Sequence, residues 1–391
     1  MAIQLSDRVQ RVKPSPTLEI SALALKLKAE GRDIISLGVG EPDFHTATHI
    51  KEAGITAIAE NNTKYTAVDG IPELKTAIIN KFKKQNNLSY EANQILVSCG
   101  GKQSFSNLCQ AYLNEGDEVI IPAPYWVSYP DMVLLAGGVP VIARAGQETG
   151  FKLTAETLAA SITDKTRLFV INSPSNPTGV MYSKDELAAL GEVLLKHPDI
   201  VIATDDMYEL TLFADDKFSN IVNATPALYD RTVVMNGVSK AYAMTGWRIG
   251  YAGGPLKLIQ AMKKIQSQST SNPTSISQVA AVEALNGDQS SIDTMMKAFK
   301  ERHDFVVAEC NKMEGVECLP SDGTFYSFPN VEGMIARLDG VNNDAELATY
   351  LLDKGVSLVP GSAFGLEGHI RISYATSMEN LKKAIERIAS I

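Results

Sequence analysis

Between residues 46 and 286 the chain alternates between short apolar runs and stretches whose apolar side chains recur every three or four positions. The runs "QILVSC", "DEVIIP", "VPVIAR", "RLFVIN", "DIVIATD", "RTVVMN" and "IGYAGG" are too short for helices. Most lack the in-out alternation of a half-exposed strand, which is how strands buried on both faces read. Helical periodicity in "KQSFSNLCQAYLNEG" and "SKDELAALGEVLLKHP" falls between them. The pattern predicts an α/β fold, a mostly parallel seven-stranded sheet with helices on both faces.

The pattern changes after Asn286. Helical "SSIDTMMKAFKERHDFVVAECNKME" leads to strands expected at "VECLP" and "GTFYSFP". Helical "DAELATYLLDKG" leads to "VSLVPG" and "HIRISYA", and "MENLKKAIERIAS" forms a last helix. Ahead of the sheet, "SPTLEISALALKLKAEG" predicts an amphipathic helix entered through prolines and closed by Gly31. Three parts follow: an N-terminal arm over 1–45, a large domain over 46–286 and a small α+β domain over 287–391, with the arm packing on the small domain. No internal repeat, low-complexity linker or coiled-coil run is present.

Composition narrows the function. With 391 residues, 45% of them hydrophobic, the chain can bury a large core. A net charge of −9 argues against a nucleic-acid surface, though one local cation can still hold an anionic small ligand. No apolar run approaches the ~18 residues of a membrane span, and the first residues lack the apolar stretch of a signal peptide. Cys99, Cys109, Cys310 and Cys318 show no metal or redox spacing, so a reduced, cytoplasmic protein is expected. His45 and His49 can share a helix face, but no third ligand accompanies them.

Ligands of open α/β sheets gather at the carboxyl ends of strands. Five predicted ends carry unusual groups: Gly100–Gly101–Lys102, "APYWVSYP" with Trp126, "SPSNPTG" with Asn176, Asp205–Asp206 with Tyr208, and "GVSK" with Lys240. Each has an ordinary reading. The glycine pair makes a tight turn or a phosphate-binding helix start. Asp205 caps a helix or faces a cationic ring nitrogen. Trp126 fills core or stacks on a flat ligand. Lys240 snorkels, or its apolar setting lowers its pKa and leaves a neutral amine suited to a Schiff base. Arg248 forms an ion pair at the core edge or clamps a phosphate. Arg371, alternating with Ile370 and Ile372, binds a carboxylate or faces water. Together, an imine-forming lysine, an acid for a pyridinium nitrogen, an aromatic platform and a phosphate cup meet the needs of pyridoxal 5'-phosphate.

The segment "GVSKAYAMTGWRIG" resembles the cofactor-attachment signature of class I aminotransferases, which have the type I fold of pyridoxal-phosphate-dependent transferases. The resemblance runs from "LGVGEPDF" through "KYTAVDGIPELK", "PYWVSYP", "NSPSNPTG" and "TDDMYE" to "GHIRISYA". Within the family it is similar to the bacterial aspartate branch, whose members often also accept prephenate.

The resemblance implies that Lys240 bonds the cofactor and then moves the substrate Cα proton. Asp205 would pair with the ring nitrogen, Tyr208 and Asn176 would face the ring's phenolic oxygen, and Trp126 would stack on the ring. The backbone of Gly101 and Lys102, the Ser239 hydroxyl and Arg248 would hold the phosphate, joined by Tyr65 of a partner subunit in a homodimer. Arg371, Asn176 and the Gly40 backbone would hold the substrate α-carboxylate, with Trp126 beside it. The best-known aspartate enzymes use a partner arginine for the distal carboxylate, but "QSQSTSNPTS" holds none. Lys102, with Lys13 and Thr17 from the arm, would take that place. The implied reaction is ping-pong transamination between aspartate or glutamate and oxaloacetate or 2-oxoglutarate, with prephenate as a further acceptor. An aromatic or alanine-type aminotransferase, a pyridoxal-phosphate lyase and a ligand-sensing protein are the alternatives. The expected partners are small amino and oxo acids, not nucleic acid or membrane.

Overall fold

The computed structural model describes residues 3–214 and 217–391. Its twelve strands are β1 (Ile35–Ser36), β2 (Ile95–Ser98), β3 (Glu118–Ala123), β4 (Val139–Arg144), β5 (Thr166–Asn172), β6 (Val201–Asp205), β7 (Thr232–Gly237), β8 (Gly250–Gly253), β9 (Tyr326–Ser327), β10 (Val356–Ser357), β11 (Val359–Pro360) and β12 (Ile370–Ser373). All seven apolar runs become strands of one sheet, in the order β2-β8-β7-β6-β5-β3-β4. Both sheet faces are covered. Leu96, Val119, Leu168, Ala203 and Val233 pack in one apolar cluster, and Ile95, Val97, Ile120, Phe169, Ile202 and Val234 in another. This explains the lack of alternation, since a residue turned either way meets apolar side chains.

Six strands run parallel, whereas β8 is antiparallel to both β2 and β7. Gly237 at the end of β7 therefore lies opposite Gly250 at the start of β8. The residues just before β8, Arg248 among them, reach the same sheet edge as the residues just after the parallel strands.

After the sheet the strands are shorter than expected. "VSLVPG" divides: β10 pairs with β1, and β11 with β12. "VECLP" forms no strand and contributes only a bridge between Glu317 and Asn330. β9 and β12 pair antiparallel, with Ile372 opposite Ser327. The helix Ser290–Cys310 packs on β9 and on the last helix, Met378–Ala389.

The arm helix spans Pro16–Ala29 and ends at Gly31, whose φ of 87° suits glycine. It packs beside β10 and β11. It is less amphipathic than expected: only Ala24 is buried, while Leu18 and Leu25 remain 67% and 68% exposed. A narrow stripe of Ile20, Ala24 and Leu27 meets the body of the chain, while Leu18, Leu23 and Leu25 turn outward. Beyond it, β1 pairs parallel with β10, and the Ser373 N–H donates to the Leu37 carbonyl at 2.8 Å. Gly38 and Gly40 are thereby laid against the strand that carries Arg371.

His45 precedes the helix Thr48–Ala59 instead of sharing a face with His49, whose Nδ1 lies 2.8 Å from Glu283 Oε1. Among the described residues no group of three potential metal ligands occurs, and no helix is long and apolar enough to cross a membrane.

Candidate active site

A cavity of about 480 Å³ opens at the carboxyl edge of the large sheet. Its lining includes Thr17, Gly40, Gly101, Lys102, Trp126, Asn176, Asp205, Tyr208, Ser239, Lys240, Arg248 and Arg371. Twelve of the fourteen residues singled out from sequence meet there. Tyr65 does not: it is 94% exposed and outside the lining. Lys13 is also exposed and outside it.

Lys240 follows β7 by three residues. Its Nζ donates to the Gly40 carbonyl at 2.7 Å and sits 6.0 Å from the centre of the Phe325 ring. Burial lowers its pKa to about 8, opposed by the nearby Glu41 carboxylate, while Arg371 and Arg248 lower it further. The apolar setting thus acts in the expected direction without making the amine largely neutral. At pH 7 roughly one lysine in ten would be uncharged. Two carboxylates, Glu41 and Asp205, moderate the desolvation.

Asp205 ends β6 half-buried in the cavity wall. Burial raises its pKa, while hydrogen bonds from the Tyr129 hydroxyl (2.6 Å, to Oδ2) and the Met207 N–H (3.2 Å, to Oδ1) lower it. The carboxylate is therefore fixed from behind. Asn172, at the end of β5, ties two strand ends together: its Nδ2 donates to the Asp205 carbonyl at 2.8 Å and its Oδ1 accepts the Asn176 N–H at 2.8 Å.

At the other end, Gly100 (φ 87°) opens the helix Gly101–Tyr112. A Cβ on Gly100 would fall 2.3 Å from Arg248 Nη2, and one on Gly250 would fall 2.3 Å from the Gly101 nitrogen. Glycines here leave free amides and a guanidinium around a hollow at a helix N-terminus, an arrangement suited to a dianion. Arg248 is exposed, not carried into the interior as its neighbours imply. Its Nη1 donates to the Thr245 carbonyl at 2.8 Å, and among the described residues it forms no ion pair with a carboxylate.

Arg371 is only 3% exposed, which removes the water-facing alternative. Its Nη1 donates to Asn176 Oδ1 at 2.9 Å and its Nη2 to the Gly38 carbonyl at 2.7 Å. The guanidinium lies 4.4 Å from the Tyr326 ring centre and 4.9 Å from that of Phe364. Its buried Nε has no partner. Lys102 sits over Trp126, 5.2 Å from the ring centre, and burial and Arg248 both lower its pKa.

Sequence reasoning missed Tyr129, Asn172 and Tyr326. Tyr129 and Tyr326 are almost fully buried and read as core filler. The one available signal was Tyr129's place three residues after Trp126, against which it packs edge to face at 5.2 Å.

A lysine and an acid at one edge of a doubly covered α/β sheet, with two arginines about the same cavity, define a transferase of the aminotransferase type. The chain belongs to the aminotransferase class I and II family, whose profile matches residues 32–388. It is 58% identical to an aspartate/prephenate aminotransferase of Nitrosomonas europaea, over 100% of both chains. It is 55% identical to one from Cereibacter sphaeroides, over 98% of this chain and 97% of that one. Among solved structures, an aspartate aminotransferase from Rhizobium meliloti superposes with a TM-score of 0.96 at 48% identity, covering 100% of this chain and 98% of that one. The Thermus thermophilus aspartate aminotransferase with maleate gives 0.94 at 41%, over 100% of both.

Proposed function

We propose that this aminotransferase moves the amino group of aspartate or glutamate to a 2-oxo acid, oxaloacetate or 2-oxoglutarate, with prephenate as a further acceptor. We propose pyridoxal 5'-phosphate as its cofactor. The residues fit that group. The hollow at Gly100–Gly101, which a Cβ at Gly100 would fill, and the Arg248 guanidinium without a carboxylate partner suit the phosphate. The half-buried Asp205 carboxylate, facing the cavity, suits a protonated ring nitrogen.

Gly101, Lys102, Ser239 and Arg248 would hold the phosphate, with Tyr65 of a partner subunit. Trp126 would cover the ring, Asp205 would face its nitrogen, and Tyr208 and Asn176 its phenolic oxygen. When bound, the cofactor supplies a carbonyl carbon for the amino group and a conjugated cationic ring that accepts the electron pair left by the departing Cα proton.

This chain's own residues do the rest. Lys240 holds and then moves the Cα proton, and its lowered pKa leaves it able to accept that proton near neutral pH. Asp205 stabilises positive charge at the ring nitrogen, and Tyr129 and the Met207 N–H keep Asp205 aimed. Arg371 clamps the α-carboxylate, for which its unpaired Nε and planar fork are suited, and Asn176 holds that fork in place. Lys102 and, from the arm, Thr17 stand at the cavity wall for a second carboxylate, and Lys13, exposed outside the lining, would join them. One site serving two substrates in turn gives ping-pong kinetics.

Residues 46–286 would form the cofactor-carrying domain, 287–391 the small domain that brings Arg371, and 1–45 the arm that brings Thr17. The exposure of Tyr65, Ile55, Ile58 and the arm leucines supports a homodimer with shared sites. Four free cysteines support a cytoplasmic setting.

The observation that carries the proposal is the Lys240 amine sharing one cavity with Asp205 and Arg371. Borohydride reduction of cofactor-loaded protein should leave the cofactor's mass on the peptide containing Lys240. Mass on another lysine, or none, would overturn it.

A further inference from the structure

We propose that Tyr326 is a positioning residue whose hydroxyl donates to the Tyr208 oxygen, so that the single Tyr208 proton is aimed into the cavity. This inference rests on the cofactor reading above and assigns a role to a residue outside it.

The two hydroxyls lie 3.2 Å apart, and either can be the donor. Both tyrosines are buried and both line the cavity. Burial keeps both phenols protonated at working pH. Each phenol then has one proton to give. If Tyr208 gives its proton to a ligand oxygen in the cavity, the Tyr208–Tyr326 hydrogen bond survives only with Tyr326 as donor. If Tyr208 gives its proton to Tyr326, it offers the ligand only lone pairs. A phenolic oxygen on the ligand settles the direction, and Tyr326 then strengthens the Tyr208 O–H as a donor, because bonds in a chain polarise one another.

The surroundings keep Tyr326 in that place. It lies on β9, paired with β12, and its ring faces the Arg371 guanidinium at 4.4 Å. Burial raises the pKa of both phenols and Arg371 lowers both, so the direction of the bond is left to the ligand oxygen. On the far side, a Cβ at Gly40 would fall 2.7 Å from the Tyr326 oxygen, so the Gly40 backbone closes that direction. The Tyr326 oxygen thus sits between the segment that accepts from Lys240 and the hydroxyl of Tyr208. The same Arg371 that the function reading places on the substrate carboxylate rests on this phenol.

Tyr326→Phe keeps the ring against Arg371 and removes only the hydroxyl. In cofactor-loaded protein, the pH midpoint of the visible colour change reports loss of the proton on the nitrogen that Lys240 supplies, beside the oxygen Tyr208 faces. A weaker donor at that oxygen stabilises the deprotonated form less, so the midpoint should rise, by about half a unit. Tyr208→Phe should raise it further, and adding Tyr326→Phe to Tyr208→Phe should then change nothing. kcat should fall roughly two- to fivefold, with KM for aspartate unchanged, because Arg371 keeps its stack. A midpoint unmoved by Tyr326→Phe, or moved equally with Tyr208 already changed to Phe, would overturn the role. Wild-type protein that gains no colour with pyridoxal 5'-phosphate would instead overturn the cofactor reading, and this inference with it.

Discussion

Tyr129 donates its hydroxyl proton to Oδ2 of Asp205, a residue of the cavity wall, at 2.6 Å. Asp205's other oxygen accepts from the Met207 N–H, so each oxygen of this half-buried carboxylate has a protein donor. Tyr129→Phe removes a hydrogen bond to a charged group, of the kind that contributes ~1.5–3 kcal/mol. Burial already raises the Asp205 pKa, and this bond lowers it, so its loss pushes the pKa further up. The variant should bind pyridoxal 5'-phosphate at least roughly tenfold more weakly, and the acid limb of its rate profile should move to higher pH. Unchanged affinity and profile would show that Tyr129 is packing alone.

Lys240 titrates at about 8 before cofactor is added. Only the free amine adds to a carbonyl. Cofactor uptake by cofactor-free protein, followed by absorbance, should therefore accelerate from pH 6 to about 8, by close to tenfold per unit at the lower end, and level off above. A rate independent of pH across that span would contradict the lowered pKa as the controlling step.

Gly100 has φ 87° and no room for a Cβ beside Arg248. Because the nearest atoms belong to the end of a long side chain, Gly100→Ala should displace the guanidinium without dismantling the sheet. Backbone strain at φ 87°, ψ 161° adds ~1–3 kcal/mol. Phosphate and cofactor affinity should drop by roughly an order of magnitude, with circular dichroism unchanged. Full affinity would remove Arg248 and this turn from the phosphate cup.

Asp206, adjacent to the site residue Asp205, is buried, and burial together with the Glu209 carboxylate raises its pKa to about 7. Its oxygens accept from Thr204 Oγ1 at 2.6 Å and Asn220 Nδ2 at 3.1 Å. Between about pH 4 and 7 the folded chain holds this proton and the unfolded chain does not. Stability from this group is complete below that window and lost as pH rises through it, by up to ~1.4 kcal/mol per unit. Asp206→Asn should flatten the denaturation midpoint across the same window. An unchanged slope would assign the dependence to other groups.

Much of this was legible from the chain. The seven sheet strands announce themselves because both faces are packed, and Lys240, Asp205 and Gly101 follow because parallel strands end at one edge. The direction of β8 was not legible, since a run such as "IGYAGG" reads the same whichever way it is laid in a covered sheet. That reversal is what carries Arg248 to the site. "VSLVPG" gave no sign of dividing between two sheets, because its partners, β1 and β12, lie far away in sequence. Tyr129 and Tyr326 were hidden for a different reason. Tyrosine fills cores, and only distances of 2.6 Å to Asp205 and 3.2 Å to Tyr208 distinguish a working hydroxyl from filler.

The central claim is transamination of a dicarboxylic amino acid at Lys240. Purified protein with pyridoxal 5'-phosphate, aspartate and 2-oxoglutarate tests it most directly. Glutamate should appear in an amount equal to oxaloacetate plus the pyruvate that oxaloacetate forms by losing CO2, with no ammonia, and Lys240→Ala should abolish it. Ammonia release, or glutamate formation that survives Lys240→Ala, would contradict it.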